Sequence, residues 1–156
     1  MRLTVLAAAA LIGLPLATPL AAQTDEDAIT AALKARQGFY NMLFVNMGSL
    51  GAIAKGDAPY DEAVARRAAA NLQALGQYDV TIHFLDGTSR DDLGAERTAA
   101  RPEIFANRED FATKLAGLRE ATTGAAEAVG DQAAVGALVG KIGAACKACH
   151  DSYRAK

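Results

Sequence analysis

The chain has 156 residues, with 16 basic and 18 acidic side chains and a net charge of −2 that is not segregated along the sequence. That balance gives no electrostatic basis for binding nucleic acid or an anionic membrane surface. A four-ligand zinc site would need both cysteines and both histidines, and one of those histidines lies far from the other three ligands in sequence.

Met1-Arg2-Leu3, an apolar stretch from Val5 to Leu16 and small residues through Ala22 have the order of a secretory signal peptide. The stretch is short for a membrane span, and Pro15 and Pro19 interrupt it. Cleavage after Ala22 leaves residues 23–156, a length suited to one domain with one core. No later apolar run is long enough to cross a bilayer, so the expected product is an exported, periplasmic protein without a membrane anchor.

The first helix is predicted over Asp25–Lys55. Its stripe is Ile29, Leu33, Arg36, Tyr40, Leu43, Met47, Leu50 and Ala54, in alternating steps of four and three, the seam of a bundle helix. Arg36 is the one charge in that seam. It either pairs with an anion inside or snorkels to solvent at the edge. Lys55-Gly56-Asp57-Ala58-Pro59 reads as a turn. A second helix is predicted over Tyr60–Ile82, with Val64, Ala68, Leu72, Leu75 and Ile82 inward and Gly76 weakening its last turns.

Residues 83–107 form the longest irregular connection, broken by Gly87, Gly94 and Pro102. Ile104 and Phe105 are expected to tuck into the core. A third helix is predicted over Arg108–Val129, with the stripe Phe111, Leu115, Leu118, Thr122, Ala125, Val129. Gly130-Asp131 makes the next turn. A fourth helix follows over Gln132–Arg154, with Val135, Val139, Ile142, Cys146, Cys149 and Tyr153 on one face. The pattern is all-α, with no strand signal and no internal repeat.

The last helix carries Cys146-Lys147-Ala148-Cys149-His150. Two cysteines separated by two residues and followed by histidine form a c-type haem attachment motif. Each thiol adds to one vinyl group of the porphyrin, and the adjacent imidazole reaches the iron. On a helix the three side chains share one side. A thioredoxin-like pair would need a βαβ context, and a disulfide would not call for the histidine. Attachment outside the cytoplasm agrees with the N-terminal signal. The small residues and lack of Trp either leave room in the core for a large flat group or reflect close helix packing.

With His150 as proximal ligand, the sixth position falls to Tyr40, Met42, Met47, water or nothing. A neutral phenol is a poor ligand, and a thioether commonly fills space instead. His83 is read as a solvated loop histidine rather than a second axial ligand, since nothing near it forms a metal-site pattern. A haem propionate would suit Arg36. A peroxidase would need a distal acid–base pair, and the first-helix seam offers Arg36 and Tyr40 but neither histidine nor carboxylate.

The chain resembles the class II c-type cytochromes, and within them cytochrome c′. The residues that carry the likeness are Arg36-Gln37, Lys55-Gly56-Asp57-Ala58-Pro59-Tyr60-Asp61, Ala100-Arg101-Pro102-Glu103-Ile104-Phe105 and Cys146 to Arg154. The resemblance implies an antiparallel up-down-up-down four-helix bundle enclosing one covalently attached haem c on the last helix. It implies a five-coordinate, high-spin iron with His150 proximal, Arg36 at a propionate, Tyr40 on the distal face and Arg154 near the proximal face. It further implies electron transfer with redox partner proteins, binding of nitric oxide or carbon monoxide, and a homodimer through the first two helices, where Gly48, Gly51 and Ala52 permit close approach. In low-spin relatives a methionine binds the iron, so a Met-ligated electron carrier is the alternative.

Overall fold

A computed structural model of the chain describes residues 25–156; the predicted signal peptide, 1–22, and its cleavage point lie outside the described residues. Helix α1 runs Asp25–Lys55, with Asp25, Glu26 and Asp27 in its first turn and Lys55 in its last, charges that complement the helix dipole. Gly56 then takes φ +79° and donates its N–H back to Ile53 O at 3.0 Å, the left-handed helix stop that glycine adopts at no steric cost. The predicted seam is the buried side. Leu33, Arg36, Leu43 and Leu50 are buried, and so are Phe39 and Ile53 beside them.

Helix α2 spans Glu62–Gly76, N-capped by the Asp61 carboxylate, which accepts from Val64 N at 3.0 Å. The expected continuation to Ile82 does not occur. A Cβ at Gly76 would lie 2.1 Å from Thr122 Oγ1, so Gly76 is where α2 presses against the chain's third long helix. The backbone then turns, and the Asp79 side chain accepts from Thr81 N at 3.0 Å to start a 3-10 turn over Val80–His83. Such local side-chain bonds compete with helix continuation. The turn buries Val80 and leaves Ile82, expected inward, 60% exposed.

The connection is more ordered than its composition suggests. It contains two single-turn helices, α3 (Arg90–Leu93) and α4 (Glu103–Ala106). A reciprocal capping box between Ser89 and Asp92 starts α3. Ile104 is buried as expected and Phe105 is half-buried. An antiparallel bridge pairs Ala100 with Arg154, flanked by Arg101 N→Tyr153 O at 3.0 Å and Ala155 N→Ala99 O at 2.8 Å.

Helix α5 covers Arg108–Thr122 and ends before the predicted Val129. The Thr122 and Thr123 hydroxyls bond back to carbonyls of Leu118 and Arg119, and Gly124 takes φ +71°. Ala125 and Val129 are nevertheless buried, held in a non-helical turn, with Tyr60 donating to Val129 O at 2.8 Å. Helix α6 runs Gln132–Tyr153 from an Asp131 cap.

The four long helices, α1, α2, α5 and α6, form an antiparallel up-down-up-down bundle. Helix α1 packs on α2 and α6, and α5 packs on the same two. Leu50, Ile53, Leu72, Val129, Val135 and Ile142 are fully buried and close one end. At the other end, near the start of α1 and the finish of α6, the bundle opens around a cavity. No helix among the described residues is long and apolar enough to cross a membrane.

Candidate functional site

The cavity has a volume of about 750 Å³, and its walls come from α1, α5, α6 and the α2–α5 connection. Cys146, Cys149 and His150 line one side and Arg36, Tyr40 and Met47 another. The sequence-predicted site residues are thus brought to one place, with Met42 and His83 the exceptions. Met42 is 51% exposed and is not part of the cavity wall. His83 lies in the 3-10 turn, away from the cavity, where its Nε2 is hydrogen-bonded to the Tyr78 hydroxyl and the two rings stack at 5.8 Å. It is neither an axial candidate nor a free loop side chain.

Both thiols are half-buried and unbridged. Burial pushes the Cys146 thiol up, and burial with the neighbouring Cys146 pushes Cys149 up to about 11. A dithiol oxidoreductase needs the opposite shift, toward a reactive thiolate. The His150 side chain is held below its ordinary pKa by burial and by the Arg154 charge, partly offset by Asp151. A neutral imidazole keeps a lone pair available for a metal.

Arg36 is only 4% exposed and does not snorkel. Its Nη1 donates to Thr88 Oγ1 at 3.0 Å, and its Nη2 donates to Thr88 O at 3.2 Å and Thr98 Oγ1 at 3.4 Å. The guanidinium also lies over the Phe84 ring, 4.6 Å from its centroid. These partners are all neutral. They satisfy the donors without cancelling the charge, so a buried cation faces the cavity. Burial lowers its pKa, offset in part by Tyr40, yet a guanidinium stays protonated.

Tyr40 is half-buried and packs edge-on against Phe39, with centroids 5.1 Å apart. Burial first, and then the proximity of Cys149, hold its phenol well above the ordinary tyrosine value, with Arg36 pulling the other way. Tyr40 is therefore a neutral hydroxyl within electrostatic reach of both cysteines.

Sequence reasoning missed Thr88, Thr98 and Phe84, the cradle of Arg36, because an irregular segment carries no periodicity to mark its buried positions. It also missed that Tyr153 donates to Asp110 Oδ2 at 2.6 Å. That carboxylate, together with burial, pushes the Tyr153 phenol up to about 12. The rings of Tyr153, Phe111 and Phe84 form an edge-to-face series along the wall.

These donors fit a haem. A porphyrin offers vinyl carbons for two neutral thiols, a metal for the adjacent imidazole and carboxylates for a buried cation. The cavity volume lies in the range of cofactor pockets, about 300–1,000 Å³. Among the described residues, no group of three or more His, Cys, Asp or Glu side chains is placed to hold a bare metal ion.

Fold and site together define a haem protein of the c type, built as a four-helix bundle with its attachment motif on the last helix. Comparison with known proteins gives the same class. A family described as Cytochrome C' matches residues 31–154. The cytochrome c' of Cereibacter sphaeroides is 38% identical over 125 residues, covering 80% of this chain and 83% of the relative. A solved cytochrome c' from Rhodobacter Spheriodes superposes with a TM-score of 0.77 at 36% identity, over 82% of this chain and 98% of that one. The nitric oxide complex of the L16A mutant of cytochrome c prime from Alcaligenes xylosoxidans gives a TM-score of 0.68 at 32% identity, over 82% and 96%. The chain belongs to the cytochrome c′ family, and its cofactor is one covalently attached haem c.

Proposed function

We propose that the protein is a periplasmic electron-transfer and gas-binding haem protein with a five-coordinate, high-spin iron. In this reading Cys146 and Cys149 form the thioethers, His150 is the proximal ligand and Arg36 pairs with a propionate. When bound, the haem supplies a redox-active iron with one coordination position open to a diatomic ligand. The observation that carries the reading is the neutral, crowded Tyr40 facing the thiols across an apolar cavity. A neutral phenol is a poor ligand, and a side chain of this size narrows the face to small molecules. Its hydroxyl can donate a hydrogen bond to such a guest. The nitric oxide complex of the L16A mutant relative supports that choice of ligand.

Arg36 keeps a fixed positive charge near the carboxylates and anchors the group in one orientation. Tyr153, tied to Asp110, holds the end of α6 and thereby the approach of His150. Among the described residues no carboxylate lines the cavity, and His150 is its one histidine. That composition supports binding and electron exchange over acid–base catalysis on peroxide. Periplasmic export rests on residues 1–22 and on haem attachment taking place outside the cytoplasm. A homodimer through α1 and α2 is supported by the exposed apolar side chains Phe44 (78%) and Val45 (67%) on α1.

A second reading keeps Met47 as a sixth ligand, because it too lines the cavity. Optical spectra of the oxidised and reduced protein, with and without carbon monoxide, separate the two. High-spin ferric bands and a carbon monoxide adduct are expected. A near-infrared Met–Fe(III) charge-transfer band would overturn the five-coordinate assignment.

A further inference from the structure

A second cavity, of about 270 Å³, lies between Phe39 of α1, the end of α2 with the 3-10 turn, and α5. Leu115 and Leu118 line both this cavity and the larger one, so the partition between them is one side chain thick. Its third component is the Phe39–Tyr40 edge contact, with Phe39 lining the small cavity and Tyr40 the large one. The floor is apolar and buried, formed by Phe39, Val80 and Leu118.

The polar groups of the rim are engaged with the protein. The Asp79 carboxylate accepts from Thr81 N, and Arg119 Nε donates to Gly76 O at 3.5 Å. The two rim charges, Asp79 and Arg119, are of opposite sign and lie within electrostatic reach of each other, and an ion entering the apolar floor would lose its hydration without compensation. Apolar recesses such as this floor accept inert gases. The volume has ample room for diatomic molecules.

We propose that this second cavity is the antechamber through which a neutral diatomic gas reaches the haem cavity, with Leu115 as the gate. Leu115 is half-buried, whereas Leu118 is buried, so Leu115 is the member of the wall with space to change rotamer. The inference rests on the gas-binding reading above and adds a route to it. A gate on the route sets rates of entry and exit together and leaves the affinity alone.

Ala116 lines only the small cavity, is exposed, and sits on α5, where leucine is a good helix former. In Ala116→Leu, flash photolysis should show association and dissociation of carbon monoxide with the ferrous holoprotein both slowed, by about tenfold, with an unchanged equilibrium constant. Leu115→Ala should speed both. Independently, xenon pressure on the carbon monoxide-bound ferrous protein should shift the Ala112 and Ala116 methyl resonances. Unchanged association rates in Ala116→Leu, or methyl groups indifferent to xenon, would overturn the route while gas binding stands. A ferrous protein that takes up no carbon monoxide removes the gas-binding reading, and the route falls with it even where xenon still enters.

Discussion

Arg36 shows how a single buried charge organises its surroundings. From the seam alone it could have been a snorkelling edge residue; burial and three hydrogen bonds to threonine oxygens place it inside. Arg36→Leu should lower the haem reduction potential by on the order of 50 mV, because a positive charge on the cavity wall favours the reduced iron. Potentiometric titration measures it. Thr88→Val keeps the shape but removes one acceptor of the guanidinium and the donor to Leu85 O. A loss of about 1–3 kcal/mol in denaturant unfolding is expected, with the visible spectrum nearly unchanged. The haem motif and Arg36 could be picked out in the sequence because chemistry fixes their spacing and because a charge in an apolar stripe is conspicuous. Thr88 could not, since its role depends on a loop folding back across α1.

At the level of elements, the seams of α1 and α6 were readable over their whole length, and the ends of α2 and α5 were not. Both long helices stop early at the same place, where Gly76 meets Thr122. The apolar pattern ran on past each end because Val80, Ala125 and Val129 are buried in turns, and burial without helix looks the same in a stripe. Gly76→Ala should destabilise by roughly 1–3 kcal/mol through overpacking. Thr122→Ala in the same chain should return part of that loss, because the displaced oxygen bonds only to its own helix. Thermal unfolding of the two single variants and the double variant tests the coupling. Helix α3 has a pH signature. Hydrogen bonds from the Ser89 hydroxyl and backbone lower the Asp92 pKa from 3.8. Its folded-state value is thus the depressed one, so the contribution is complete above the unfolded value and disappears as pH falls through the folded one. Asp92→Asn should flatten the acid limb of the stability profile, and amide exchange of residues 89–94 in acid reports it locally.

On the scale of the whole molecule, the bundle is a closed core at one end and an apolar container at the other. The closed end folds on its own side chains, and Leu72→Ala there should cost about 2–5 kcal/mol whether or not haem is attached. The container depends on its guest for burial, so holoprotein should outlast the bare polypeptide in heat. For the expected homodimer the sequence offered only the resemblance and the small residues Gly48, Gly51 and Ala52, whereas the exposed Phe44 and Val45 emerge from the structure. The exposed Val45 on α1 is where the proposed dimer contact can be tested. Val45→Lys should shift sedimentation from dimer to monomer while leaving the haem spectrum intact. The pairing of Ala100 with Arg154 bears on how such a molecule is built. The last residues of the chain are fastened to a segment made much earlier, and they follow directly on the thiols that must meet the porphyrin. The same segment reaches the Arg36 guanidinium through Thr98, so one strap ties the buried cation to the end of the helix that carries the thiols.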